Sequence, residues 1–179
     1  MSKLTILSKT PTFKGELFTL NQLQVDVVGT KHTWYHFDIR STVFVFPLTP
    51  NNDIYLIKQY REMIKKERIQ VVAGFVNDGE SPQDAAIREL KEEAGLTAEK
   101  VVEFGNFDGR STIMDDPFHF FLATGLQEGE QALEEDEEIT LLKMPFAEAV
   151  AKVVTGEISS YKTVTGLLLL DKLRQTGKI

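Results

Sequence analysis

The stretch from Gly74 to Leu96, GFVNDGESPQDAAIRELKEEAGL, constrains this chain more than any other. It reads as a strand end, a tight glycine-bearing loop and a short helix crowded with carboxylates. Ser81 is a good N-cap, Pro82 suits the first helical position, and Asp84 three residues after Ser81 completes a capping-box pattern. Gly95 closes the helix where a C-terminal glycine usually stands. Ile87, Leu90 and Ala94 recur at helical spacing and offer an apolar face for burial. The other face is expected to carry Glu89, Glu92 and Glu93, which at i, i+3 and i+4 project from one side. On an exposed helix such like-charge pairs cost a few tenths of a kcal/mol. In a cleft the cost rises to roughly 3 kcal/mol per pair, at 5–6 Å and an effective dielectric near 20. A cation among them removes that cost. Hard divalent cations take oxygen ligands, and Mg²⁺ in particular is held by carboxylates together with substrate phosphates. Arg88 and Glu80 form a candidate ion pair tying loop to helix. The stretch thus reads as a cradle for Mg²⁺, with Mn²⁺ as an alternative, and for a phosphorylated substrate.

The same residues carry a family resemblance. Gly74, Glu80, Arg88, Glu89, Leu90, Glu92, Glu93, Gly95 and Leu96 fill every defined position of a glycine, five residues, glutamate, seven residues, Arg-Glu-apolar-x-Glu-Glu-x-Gly-apolar pattern. That pattern resembles the signature of the Nudix hydrolases. A solvated, Glu-rich surface helix would explain the charge but not the spacing of Gly74, Glu80 and Arg88. The resemblance implies an α/β fold, the Nudix α/β/α sandwich with a mixed sheet, here with an N-terminal β-rich extension. It also implies that Glu89, Glu92 and Glu93, with the carbonyl of Ala73 before the glycine, are metal ligands. Gly74, Glu80 and Arg88 would then support the cradle from behind.

Composition limits the alternatives. At 179 residues the chain suits one compact enzyme domain, and its 42% hydrophobic content is that of an ordinary globular protein. A net charge of −7 disfavours nucleic acid, whose backbone demands clustered Lys and Arg. Cysteine is absent, which excludes disulfides and thiolate metal sites and fits a reducing, cytoplasmic compartment. The first fifteen residues, MSKLTILSKTPTFKG, lack a signal-peptide core, and no apolar run approaches membrane-spanning length.

In chain order, residues 1–40 read as a β-rich segment, with runs at Leu17–Leu20, Gln24–Val28 and Trp34–Ile39, and residues 41–179 as the catalytic domain. Thr42–Leu48 and Ile54–Lys58 form a strand pair around the Pro50–Asp53 turn. Ile69–Ala73 feeds Gly74. Val101–Phe107 and Phe118–Ala123 are further strands, with a loop at Asp108–Asp116 between them. Pro145–Thr155 and Thr163–Arg174 are helices, the second reading as core. His32, His36 and His119 have no neighbour at metal-ligand spacing and read as incidental.

Finer points come from the resemblance. Gln59-Tyr60-Arg61 is similar to a triplet in family members that cleave nucleoside diphosphate sugars, making Arg61 a substrate contact whose planar fork suits a diphosphate. Arg110 and Asp116, in the loop after the box, are further substrate candidates. ADP-ribose-cleaving members commonly place a proline about sixteen residues beyond the box glycine. Here that position is Ser111, which leaves other sugars open. The acidic run Gln127–Ile139 is similar to a loop whose glutamate serves as catalytic base, giving Glu135 first and Glu137 second, with Glu92 on the box helix as the alternative. Relatives of this branch are commonly homodimers.

The sequence therefore points to Mg²⁺-dependent hydrolysis of nucleoside diphosphate sugars such as ADP-ribose, ADP-glucose or GDP-mannose. Hydrolysis of dinucleoside polyphosphates shares the same signature. An isopentenyl diphosphate isomerase would need a catalytic cysteine. A non-catalytic ligand-binding module would tend to lose the carboxylates that this chain retains.

Overall fold

A computed structural model describes residues 3–133 and 137–179. In chain order the elements are strands β1 (Leu4–Lys14), β2 (Phe18–Val27), β3 (Thr30–Ile39), β4 (Thr42–Pro47), β5 (Asp53–Arg61), β6 (Lys66–Gln70) and β7 (Val72–Phe75), then helix α1 (Pro82–Ala94). Strands β8 (Leu96–Phe107), β9 (Met114–Asp115), β10 (Phe118–Glu128) and β11 (Ile139–Pro145) follow, and helices α2 (Phe146–Val154) and α3 (Tyr161–Gln175) finish the chain. Internal packing divides it into two units: Met1–Ser41 with Phe107–Phe118, and Thr42–Asn106 with His119–Ile179.

The first unit is a four-stranded sheet in the order β1-β2-β3-β9, antiparallel except where β3 runs parallel to β9. Alternation along β2 explains its two faces, because Asn21, Leu23 and Val25 are buried and their neighbours are not. Val28 and Gly29, both at positive φ, form the two-residue turn to β3. The register of β1 slips twice, between Ile6 and Ser8 and between Pro11 and Phe13, and almost all of this edge strand is exposed. Gly109 is at φ +55°, and a Cβ there would lie 1.8 Å from the Asp116 carbonyl oxygen, so only glycine fits that turn.

The second unit contains two sheets, β7-β4-β10-β8 and β11-β5-β6. Strand β4 is buried from Val43 to Pro47 and shows why the unit is layered. Val43 and Val45 join Ala85, Ala86 and Leu90 of α1 in one core cluster. Phe44 and Phe46 point the other way, where Phe46 meets Phe104, Phe120 and α3. Helix α3 sits so close that a Cβ on Gly166 would fall 2.0 Å from the Phe46 ring. The result is the α/β/α arrangement, with mixed sheets and helices on both faces.

Several boundaries differ from expectation. Strand β8 starts at Leu96, directly after the box helix, rather than at Val101. Strand β11 was masked in the sequence by Lys143 and by half-exposed alternation, yet it pairs residue for residue with β5. Ile87 is 48% exposed rather than buried. The buried stripe of α1 is Ala85, Ala86, Leu90 and Ala94 together with Glu93. At about 100° per residue, Glu89 and Glu93 fall in angle between Ala85 and Ala86. The carboxylates therefore lie within the face that packs on the sheet, not opposite it.

Candidate active site

The local sequence fixes the helix that carries the carboxylates. Ser81 has extended backbone angles and its Oγ accepts the Asp84 amide at 3.1 Å, while Pro82 occupies the first turn. Gly95, at φ +63°, ends the helix in the left-handed conformation. Before the helix, Glu80 is folded back on its own loop. Its Oε2 accepts the Asn77 amide at 2.9 Å.

Arg88 organises the site. Its Nε and Nη2 donate to the two oxygens of Glu80 at 2.9 and 3.0 Å, a bidentate fork, and Nη2 also donates to the Phe75 carbonyl at 2.9 Å. Its Nη1 donates to Glu89 at 2.6 Å and to Glu92 at 3.0 Å. Three carboxylates thus converge on one guanidinium, whose pKa they raise, Glu80 first. The fourth, Glu93, is 4% exposed and accepts the Ala73 amide at 2.9 Å. Burial pushes its pKa up to about 8 against that hydrogen bond, helped by Glu89 and Glu137 and opposed by Arg61. Burial also raises Glu89, against Arg88 and with Glu92 and Glu137.

Gly74 makes this approach possible. A Cβ at that position would lie 1.8 Å from Glu89 Oε1. The glycine leaves room for a carboxylate pressed against the strand. Buried carboxylates crowded against a backbone, with one guanidinium among them, fit a hard divalent cation.

The sequence-predicted residues separate accordingly. Ala73, Gly74, Glu80, Arg88, Glu89, Glu92 and Glu93 form one connected group. Arg61 and Glu137 act electrostatically on Glu93, and Glu137 also on Glu89. Arg110 and Asp116 belong to the first unit, Arg110 exposed and 3.9 Å from Asp108, Asp116 buried. Glu135 lies outside the described residues.

Some features were missed. Asn77 and the Phe75 carbonyl hold the Glu80–Arg88 pair through backbone atoms, which no side-chain pattern reveals. Reading the histidines as incidental, with no neighbour at metal-ligand spacing, needs correcting for His36 and His119. His119 Nδ1 lies 2.6 Å from Glu103. His36 shares one face of β3 with Asp38, and β9 brings up Asp115 beside Asp38. Ligand atoms of these three lie within 4.8 Å of one another, as no other such trio does among the described residues. Alternation on a strand predicts the first contact. The second depends on a two-residue strand from far along the chain.

The NUDIX domain model matches residues 38–164. The chain belongs to the NUDIX family. It is 32% identical over 131 residues to the methanol dehydrogenase activator of Bacillus methanolicus, covering 72% of this chain and 71% of that protein. It is 32% identical over 171 residues to the ADP-ribose pyrophosphatase of Mycobacterium tuberculosis, covering 92% and 81%. The crystal structure of an ADP compounds hydrolase superposes with a TM-score of 0.84 at 22% identity, covering 100% of this chain and 98% of that one, which establishes the NUDIX fold. NUDIX hydrolases use divalent metals, and the donor set around Gly74 suits one. No helix among the described residues is long and apolar enough to cross a membrane.

Proposed function

We propose that this NUDIX enzyme hydrolyses the diphosphate bond of nucleoside diphosphate sugars, ADP-ribose or a broader set, to a nucleoside monophosphate and a sugar phosphate. The observation that carries the reading is the convergence of Glu80, Glu89 and Glu92 on Arg88, beside buried Glu93 and a glycine whose Cβ would displace Glu89. The ADP-ribose pyrophosphatase relative, matched over most of both chains, supports the substrate class.

In this reading Glu89, Glu93 and the Ala73 carbonyl would hold Mg²⁺, or Mn²⁺ in its place, with Glu92 completing the set. When bound there, the metal would supply neutralisation of the diphosphate oxygens and a lowered pKa for the attacking water. Glu80 and Arg88 hold loop and helix in register, which keeps the Glu89 carboxylate against the Gly74 backbone. Arg61, close enough to act on Glu93, offers its fork to a phosphate, and Arg110 and Asp116 serve the rest of the substrate. A carboxylate, Glu135 first, Glu137 second or Glu92 as the alternative, takes the water proton as the water oxygen bonds to phosphorus and the bridging P–O bond breaks. Residues 1–40 serve as a dimerisation and pocket segment preceding the catalytic residues 41–179. A homodimer is supported by the apolar side chains exposed on the first unit, Ile6, Phe13 and Tyr35 among them. A cytoplasmic location is supported by the cysteine-free composition.

The test is a turnover screen with Mg²⁺ over ADP-ribose, ADP-glucose, GDP-mannose, diadenosine polyphosphates and nucleoside triphosphates. AMP and ribose phosphate from ADP-ribose is the expected result. Turnover confined to triphosphates or diadenosine polyphosphates overturns the substrate assignment.

A further inference from the structure

The last carbonyls of a helix have no partners inside it. Those of Glu92 and Glu93 in α1, and that of the capping Gly95, are taken by one segment of the acidic run. Ala132 N donates to Glu92 O at 2.9 Å, and Gly129 N to Gly95 O at 2.7 Å. The Gln131 side chain donates through Nε2 to Glu93 O. Leu133, the next apolar residue, packs against the core cluster that contains Leu90 and Ala94.

Gly95 is shaped for this contact as well as for ending the helix. A Cβ there would stand 2.9 Å from Gln131 N, Glu130 C and Gly129 O, all backbone atoms that cannot swing aside. The segment is thus seated on the end of the helix that bears Glu89, Glu92 and Glu93. Four residues beyond Leu133, Glu137 acts electrostatically on Glu89 and Glu93. The peptide carbonyls that Ala132 and Gln131 grip belong to two of the carboxylate-bearing residues themselves, Glu92 and Glu93.

We propose that Gln131 is a positioning residue: its bond to the Glu93 carbonyl fixes where the acidic run leaves the metal-ligand helix, and so where Glu137 stands relative to Glu89 and Glu93. This rests on reading the run as the source of the catalytic base. The backbone bonds from Gly129 and Ala132 set the approach, and Gln131 locks it with the only side-chain bond among these three contacts to the helix end. A base displaced by about 1 Å can cost up to a hundredfold in rate, whereas substrate binding elsewhere is untouched.

The test compares Gln131→Met, which keeps the length and removes the donor, with Gln131→Lys, which keeps a donor of similar reach. Gln131→Met should lower kcat about tenfold while KM and Mn²⁺ affinity stay within twofold, and Gln131→Lys should recover most of the loss. In an enzyme that already carries Glu135→Gln and Glu137→Gln, adding Gln131→Met should cost nothing more. Equal losses in the Met and Lys variants, a change in KM alone, or an undiminished loss in that background overturns the proposal. Amide exchange at Gly129 and Ala132, measured without substrate, reads the seat independently. Protection in the wild type that falls in Gln131→Met is expected, and protection unchanged by the substitution overturns it. A wild type that hydrolyses no nucleoside diphosphate sugar would sink the functional reading, while the exchange result would still decide whether Gln131 holds the seat.

Discussion

Two stretches of this chain are dense in acid, Glu80–Glu93 and Glu128–Glu138, and the fold treats them in opposite ways. In the first, side chains do the binding: a single arginine gathers three carboxylates, and a fourth is buried against a backbone amide. In the second, the described anchors are two backbone amides and one neutral side chain, Gln131. The exposed Glu130 side chain makes no part of that anchorage, and Glu128 pairs with Tyr55 and Lys143. Charge density alone does not separate the two. What separates them is uncharged neighbours of the acids: Gly74, ahead of the first stretch, which admits Glu89, and Ala85, Ala86 and Leu90 within it, which carry the carboxylates into the sheet.

Two glycines test that difference most severely. Gly74→Ala should lower turnover at least about a hundredfold while the protein stays folded, because the clash at 1.8 Å is with the end of a side chain that can move away. Gly129→Ala, whose Cβ would meet only the Gly95 oxygen, at 3.3 Å, among the described residues, should cost less than about tenfold. Similar losses in both would erase the distinction. Gly95→Ala combines a left-handed backbone with backbone crowding at 2.9 Å, and should lower stability by about 2 kcal/mol in denaturant unfolding. Glu130→Gln, an acid of the second stretch that is exposed, should leave kcat and KM within about twofold.

The smallest effect lies outside both stretches and calibrates them. Burial pulls the Asp38 carboxyl upward, but Lys9, Asn21 and His36 outweigh it and hold it below its ordinary value of 3.8. A depressed carboxylate stabilises the fold above the unfolded-state pKa, and that contribution is lost as pH falls through the folded value. Lys9→Met should therefore remove a few tenths of a kcal/mol at neutral pH and nothing in strong acid, since both partners are well exposed. A loss of several kcal/mol would mean that exposed ion pairs here count as much as the buried network.

The box was legible because nine positions at fixed spacing report a local structure: cap, helix, terminating glycine and ion pair all depend on residues near in sequence. The helix bounds came out within a residue for the same reason. Its orientation did not. Ile87 looked like core, but alanines allow closer approach to β4, and the helix turns so that Glu89 and Glu93 share the buried side. Strand β11, the seat of Gln131 and the meeting of His36 with Asp115 depend on partners distant in the chain. No local period encodes them. Gln131 in particular is one neutral residue in an acidic run, and nothing in its surroundings marks it before its partner carbonyl is seen.

The central claim is that the carboxylates of α1 are the catalytic metal ligands of a nucleoside diphosphate sugar hydrolase. The most direct measurement is ADP-ribose turnover with Mg²⁺ by Glu93→Gln beside the wild type. Glutamine keeps the size of a carboxyl and can still accept the Ala73 amide, so the fold should survive. Turnover reduced by about a thousandfold or more, with an unfolding midpoint near that of the wild type, is the predicted result. Turnover within a few-fold of the wild type would contradict it.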